Sequence, residues 1–301
     1  MTQDAQAERA LMALRTATKD VPGLRVDSCR KLSSFSAVFV GRLGREKVIV
    51  KQFFEGGADQ VLRMKAELDQ VTERMNGTQH GINPCLLALP EIGVIILGHA
   101  GDLRLSDTLK AAGRDRPKWI AQSGDWLATY VGPRRKTETF RPRRWLDRLD
   151  AVLQSDAEIA SLPNVRRGRQ NLGRLGRSLM GAPFTRAATH GDFVSINAHV
   201  LDGKIIGVDV QGEAWLPLAR DVARFLVWQQ MTDPAPGPKR HGISTADLEP
   251  FLSTVDLPGD EALTILPFFI GLQLMQRLVD MRSDPFAITN GLAALGDGFC
   301  G

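Results

Sequence analysis

The chain has 301 residues, 43% hydrophobic and 24% charged, with a formal net charge of +4. This composition excludes a disordered or collagenous chain, and the length exceeds what one hydrophobic core usually serves, so two lobes are expected. The longest apolar runs, at 94–97 and 266–275, are far shorter than the roughly 20 residues of a membrane-spanning helix.

Chain order then gives the organisation. Residues 3–19 read as a short helix, in a start that carries acids early and no basic stretch followed by an apolar block. That start is unlike a secretory signal, and the scattered Cys29, Cys85 and Cys300 read as free thiols, so a cytoplasmic location is expected. Three β-like segments follow at 24–32, 36–43 and 47–54, with a hairpin turn between the second and third. Val61, Met64, Leu68, Val71 and Met75 then recur at intervals of three and four, which predicts a helix over 58–75 with one apolar face. Two more strands are expected at 84–90 and 93–98, giving an antiparallel sheet of about five strands with a helix inserted after the third.

Helical patterning dominates after the Gly-punctuated segment 98–101. Helices are expected at 104–112, 116–130, 142–160, 164–180, 217–231, 246–255, 259–281 and 284–295. A hairpin over 198–210 is signalled by Asp202-Gly203 between two apolar runs. The domain reading is a mostly β lobe over 1–97, a hinge at 98–101 and a mostly α lobe over 102–301.

The chemistry concentrates in residues 189–199, "THGDFVSINAH". Asp192, Asn197 five residues on, and Asp209 twelve residues further supply oxygen donors from neighbouring loops. Phosphoryl transfer needs such a set. One carboxylate orients or deprotonates the attacking hydroxyl, while a second carboxylate and an amide hold Mg²⁺ against the phosphates. Lys51 closes the apolar run of the third strand and is placed to meet phosphates. Glu67, on the inward side of the following helix, is the best-placed acid to hold it.

Lys51, Glu67, His190-Gly191-Asp192 with Asn197, and Asp209 together resemble the aminoglycoside phosphotransferase and choline kinase group, relatives of the protein kinases. The resemblance runs from about residue 24 to 230. It implies an α+β, two-lobed protein kinase-like fold, with a small, mostly antiparallel β lobe carrying one helix and a larger, mostly α-helical lobe. It implies Asp192 as the catalytic base or hydroxyl-orienting group, Asn197 and Asp209 as Mg²⁺ ligands, Lys51 on the α/β phosphates and Glu67 as its partner. His190 would be structural, and Asp221 would buttress the loop. The backbone of Gly98, His99 and Ala100 would meet the adenine of ATP, with GTP as an alternative.

Two departures from the family pattern stand out. The nucleotide-covering turn, often Gly-rich, here offers Ser33, Ser34 and Ser36 without a glycine. After Asp209, where the family often has an aromatic and an acid, come Val210 and Gln211, with Glu213 later. The expected acceptor is a small-molecule hydroxyl, of the amino sugar, sugar or amino alcohol class. Charge leaves its sign open: residues 133–177 hold twelve bases against five acids, and the stretch from Met231 onward holds four against nine. Trp215 and Trp228 offer either core packing or a cation–π pocket for a cationic acceptor. His199 and His241 receive no role. The alternative is a nucleotide-binding pseudokinase that docks an acidic partner through its basic 133–177 segment. Nucleic acid is disfavoured, because only Phe140 and Trp145 are interleaved with those arginines.

Overall fold

A computed structural model describes residues 3–300. In chain order the elements are α1 (Gln3–Ala17), β1 (Leu24–Leu32), β2 (Ser36–Leu43), β3 (Glu46–Phe53), α2 (Gly57–Met75), β4 (His80–Ile82), β5 (Cys85–Leu89) and β6 (Val94–Gly98). Then come α3 (Leu105–Ala111), α4 (Arg116–Val131), β7 (Arg135–Thr139), α5 (Arg143–Gln154), α6 (Ala157–Ser161), α7 (Pro163–Ser178) and β8 (Pro183–Thr189). The remainder is β9 (Ala198–Leu201), β10 (Lys204–Gly207), β11 (Ala214–Pro217), α8 (Leu218–Thr232), β12 (Lys239–Arg240), β13 (Ile243–Ser244), α9 (Thr245–Leu252), α10 (Gly259–Leu263), α11 (Ile265–Asp280) and α12 (Pro285–Phe299). The chain divides into two compact units. The first runs to Leu103 and takes in His199–Glu213; the second comprises Arg104–Ala198 and Ala214 onward.

In the first unit, five strands form an antiparallel sheet in the order β1-β2-β3-β6-β5, as the sequence predicts. Alternation along β3 sends Val48 and Val50 to one face, where they join Leu11 and Leu14 of α1 with Val26, Phe39 and Ile96 in a core cluster. Lys51 therefore points to the opposite face. α2 is held by the expected stripe: Val61, Met64, Leu68, Val71 and Met75 are all buried. Each such burial is worth about 1.5–3 kcal/mol. A second sheet, ordered β4-β10-β9, brings residues 199–213 into this unit, because β10 pairs parallel to β4 with Ile205 opposite His80. The expected hairpin joins β9 to β10, with Asp202 and Gly203 both at positive φ (51° and 76°), the pattern of a two-residue type I′ turn.

The second unit is mostly helical. α8 and α11 form its centre, and α11 is buried along almost its whole length. An aromatic ladder runs through it: Trp126 stacks on Phe193 at 4.7 Å, Phe193 on Phe225 at 5.2 Å, and Phe225 lies 4.8 Å from Phe251. A three-stranded antiparallel sheet, β11-β8-β7, packs against α8 and α4. Two helices expected as single rods are broken. The segment 142–160 divides at Ser155–Asp156, where Asp156 caps α6 by accepting from the Ile159 amide. The segment 259–281 divides at Thr264, just where Pro267 lacks the N–H to bond residue 263 and its ring crowds that carbonyl.

Candidate functional site

Lys51 sits mid-strand in β3, opposite Val38 of β2 and Ile95 of β6. Its side chain is 7% exposed, and its Nζ donates to Oδ1 of Asp209 at 2.7 Å. Residues 158 positions apart in sequence are thus joined by one charge-assisted bond. Asp209 adopts φ 62°, a left-handed conformation that Asp tolerates better than most residues. Its carboxylate also accepts from Gln211 Nε2 at 2.8 Å. The Gln211 carbonyl in turn accepts from Gln60 of α2 at 2.9 Å, which ties this loop to the helix. Glu67 is buried on the inward face of α2 beside Met64 and Leu68.

The serine turn is self-contained. Ser33 Oγ accepts from the amides of Phe35 (3.3 Å) and Ser36 (3.1 Å) and donates to the Ser36 carbonyl at 3.0 Å. Phe54 N–H adds a bond to the Phe35 carbonyl at 3.0 Å. A hydroxyl thus fixes the turn where a glycine would leave it pliant. Ser34 is exposed at its tip.

The segment after β6 is pinned as well. Gly98 N–H donates to the Pro84 carbonyl at 2.9 Å. A Cβ at Gly98 would meet the Pro84 ring at 3.0 Å, so the residue is fixed by close packing. His99 Nδ1 accepts from Gly101 N–H at 3.2 Å, and Ala100 is buried. The Gly101 carbonyl lies 2.7 Å from His199 Nδ1, which gives that histidine a structural role. Lys47, hydrogen-bonded at 3.1 Å, holds the Asp102 carboxyl below its usual range, with His99 contributing.

In the second unit, β8 ends at Thr189 and the loop begins. His190 is buried within an aromatic box: Trp126, Tyr130 and Phe193 stand 5.7 to 6.1 Å away. Its Nδ1 accepts from the Asp192 amide at 3.3 Å. Gly191 takes φ 82°, a value costly for any side chain-bearing residue, and donates its N–H to Asp221 Oδ2 at 2.7 Å. Asp221 is fully buried on α8. Arg220 completes the clasp by donating to the Gly191 carbonyl at 3.0 Å and to Asp221 Oδ1 at 3.2 Å. Asn197 Nδ2 donates to the Asp192 carbonyl at 2.9 Å. The five-residue interval between Asp192 and Asn197 thus serves to close the loop on itself.

The Asp192 carboxylate is 40% exposed, and it is not alone. Arg224 Nε donates to Oδ1 at 2.6 Å, and Arg277 Nη2 stands 3.7 Å from the same oxygen. Sequence reasoning missed both arginines. Arg220 and Arg224 are four apart on α8, so a shared helix face was legible. Arg277 lies on α11, 85 positions from Asp192, and nothing in the sequence joins them. Trp228 and Trp215 each already face a cation of the chain: Arg277 at 5.3 Å and Lys136 at 5.3 Å.

Among the described residues no three His, Cys, Asp or Glu side chains form a ready-made metal cage.

No protein-family model matches the chain, and no curated protein does. Solved structures match over almost its whole length. A glucosamine kinase in complex with glucosamine, ADP and inorganic phosphate superposes with TM-score 0.57 at 16% identity, covering 99% of each chain. Amicoumacin kinase hAmiN, in complex with AMP-PNP, Ca²⁺ and Ami, gives TM-score 0.62 at 13% identity over 98% of this chain and 95% of that one. The aminoglycoside phosphotransferase APH(4)-Ia gives 0.57 at 16% identity over 98% and 99%. The chain therefore has the α+β fold of these small-molecule kinases.

Proposed function

We propose that the chain transfers the γ-phosphoryl group of ATP to a hydroxyl of a small molecule. The observation that carries this is the 2.7 Å bond between Lys51 and Asp209, two groups that phosphate and metal binding need and that lie far apart in sequence. Asp192 receives the acceptor: its carboxylate, 40% exposed, accepts the hydroxyl's hydrogen bond and orients the oxygen. That oxygen forms a bond to the γ-phosphorus as the bond to the β–γ bridging oxygen breaks. The electron pair leaves with ADP, and the hydroxyl proton passes to Asp192 and on to solvent. Arg224 against this carboxylate suits an orienting role, and the loose transition state of phosphoryl transfer asks little more of it.

Lys51 meets the phosphates, releasing Asp209 as it does so, with Glu67 as the acid that holds it. Asn197 Oδ1 and the Asp209 carboxylate would be the groups to hold Mg²⁺, which would supply neutralisation of phosphate charge. The backbone of Gly98, His99 and Ala100 takes the adenine edge, held in shape by the bonds to Pro84 and within His99–Gly101. Ser34 and the turn around Ser33 and Ser36 cover the phosphates.

One observation favours a second reading, a nucleotide binder that docks an acidic partner through residues 133–177. The amides of Phe35 and Ser36, which would otherwise meet phosphate, are spent on Ser33 Oγ. Acceptor-dependent ADP release separates the two. With a panel of hydroxyl-bearing amines, sugars and sugar derivatives, Asp192→Ala should lower turnover by about 10²–10⁴ while leaving nucleotide affinity intact. Equal turnover in the variant removes Asp192 from the chemistry. Nucleotide binding with no acceptor-dependent release in the parent favours the second reading.

A further inference from the structure

We infer that the acceptor is an anion, a polyhydroxyl compound bearing a phosphate, sulfate or carboxylate, and that an arginine row from Arg148 to Arg277 selects it. This rests on the phosphotransferase reading and names its substrate class. Three guanidinium groups gather at Asp192. Arg224 bonds its carboxylate, Arg277 stands 3.7 Å from it, and Arg220 bonds the loop carbonyl two atoms of chain away, at Gly191. Arg277 is 9% exposed, and its Nε is buried with no hydrogen-bond partner. A buried donor of that kind costs free energy until an acceptor reaches it.

The acids nearby do not fill the demand. Asp221 is spent on Gly191 and Arg220, and Asp280 meets Arg277 at 3.4 Å from a position 54% exposed. Burial pushes the Arg277 guanidinium below its ordinary range, and the neighbouring Arg224 adds to the push. Arg220 is lowered first by burial and further by Arg224 and Arg148. Such mutual repulsion is what a bound oxyanion relieves.

Arg148 joins this group through its repulsion of Arg220. It lines an open hollow of about 510 Å³ with Arg141, Arg143, Arg144, Asp147 and Ala151. Four guanidinium groups and one carboxylate, itself 3.8 Å from Arg143, give that hollow a cationic floor. A planar guanidinium fork fits phosphate, sulfate and carboxylate oxygens two at a time. A cationic acceptor would meet four like charges there. The aromatic faces that could hold it, Trp228 and Trp215, already carry Arg277 and Lys136.

The test is calorimetric titration of the full chain, without nucleotide, by a hexose phosphate, the matching aldonic acid, the parent hexose and the amino hexose. The two anions should bind, with affinity falling as salt is raised. Arg148→Ala and Arg144→Ala should each weaken that binding at least about fivefold. With ATP present, the same variants should raise KM for the anionic acceptor and spare kcat. The inference is overturned if the amino hexose binds as tightly as the hexose phosphate, if neither anion binds, or if both variants bind the anions like the parent. Because the titration reads binding alone, it decides the inference even where no acceptor-dependent ADP release is seen, a result that counts against the phosphotransferase reading instead.

Discussion

At the scale of single residues, Asp221 bears the largest share of the loop's geometry. Its two oxygens hold Gly191 N–H and Arg220 in a fully buried place. Removing it leaves a part-buried guanidinium and a part-buried amide without their anion. Asp221→Ala should therefore cost about 3–5 kcal/mol of unfolding free energy, the scale of breaking a buried pair from one side. Asp221→Asn should cost less, because one oxygen can still accept from Gly191. Urea unfolding of the two variants checks this, and a loss under about 1 kcal/mol for the alanine form would mean the loop is held by something else. The loop's internal bonds, Asn197 to Asp192 and Gly191 at positive φ, were legible as a motif, because both ends lie within one short stretch of chain. The arginines on Asp192 were not. They arrive from α8 and α11, and a helix face tells which residues share it, never what they meet.

Among the elements, glycine reads differently according to what its missing side chain would touch. Gly124 lies in α4 where α9 packs; a Cβ there would stand 2.4 Å from the Phe251 carbonyl and from Thr254 Oγ1. Thr254 also donates to the Ala121 carbonyl at 2.7 Å, so the approach is tight along that edge. Alanine gains about 1 kcal/mol of helix propensity but must push α9 outward, at about 1–3 kcal/mol or more. Gly124→Ala should be destabilising. Gly173 in α7 is the counterpart: its Cβ would meet the tips of Arg169, at 3.1 Å, and Arg177, at 3.9 Å, so Gly173→Ala should be neutral or stabilising by up to about 1 kcal/mol. Thermal unfolding of both variants tests the pair, and equal shifts would deny the packing argument. The same contrast explains what could be read of the elements in advance. The strands of the five-stranded sheet alternate and carry their own turns, so their bounds came out within a residue or two. β4 is three residues long and pairs with β10 more than 120 positions away, and β7, Arg135–Thr139, is too polar to signal a strand. Their existence depends on partners, which local pattern does not record.

For the molecule as a whole, the expected sensitivity is to nucleotide and metal together. Lys51 and Asp209 now satisfy one another at 2.7 Å, with Lys51 almost wholly out of solvent. On the proposed reading binding separates them, and a cation would compensate Asp209 for losing its ammonium. Nucleotide alone brings negative charge toward that carboxylate, which the cation would offset. Mg·ATP at about 100 times its Kd should therefore add about 2.7 kcal/mol of stability, while ATP with a chelator should add far less. For a chain of 301 residues that corresponds to a rise in Tm of roughly 4 °C. Asp209→Asn should abolish the rise, because the variant carboxamide neither needs nor attracts the cation in the same way. Asp192→Ala should keep it, since Asp192 meets two arginines and, on the proposed reading, the acceptor rather than the phosphates. A rise of equal size with the chelator present, or one that survives in Asp209→Asn and vanishes in Asp192→Ala, would exchange the roles assigned to the two acids.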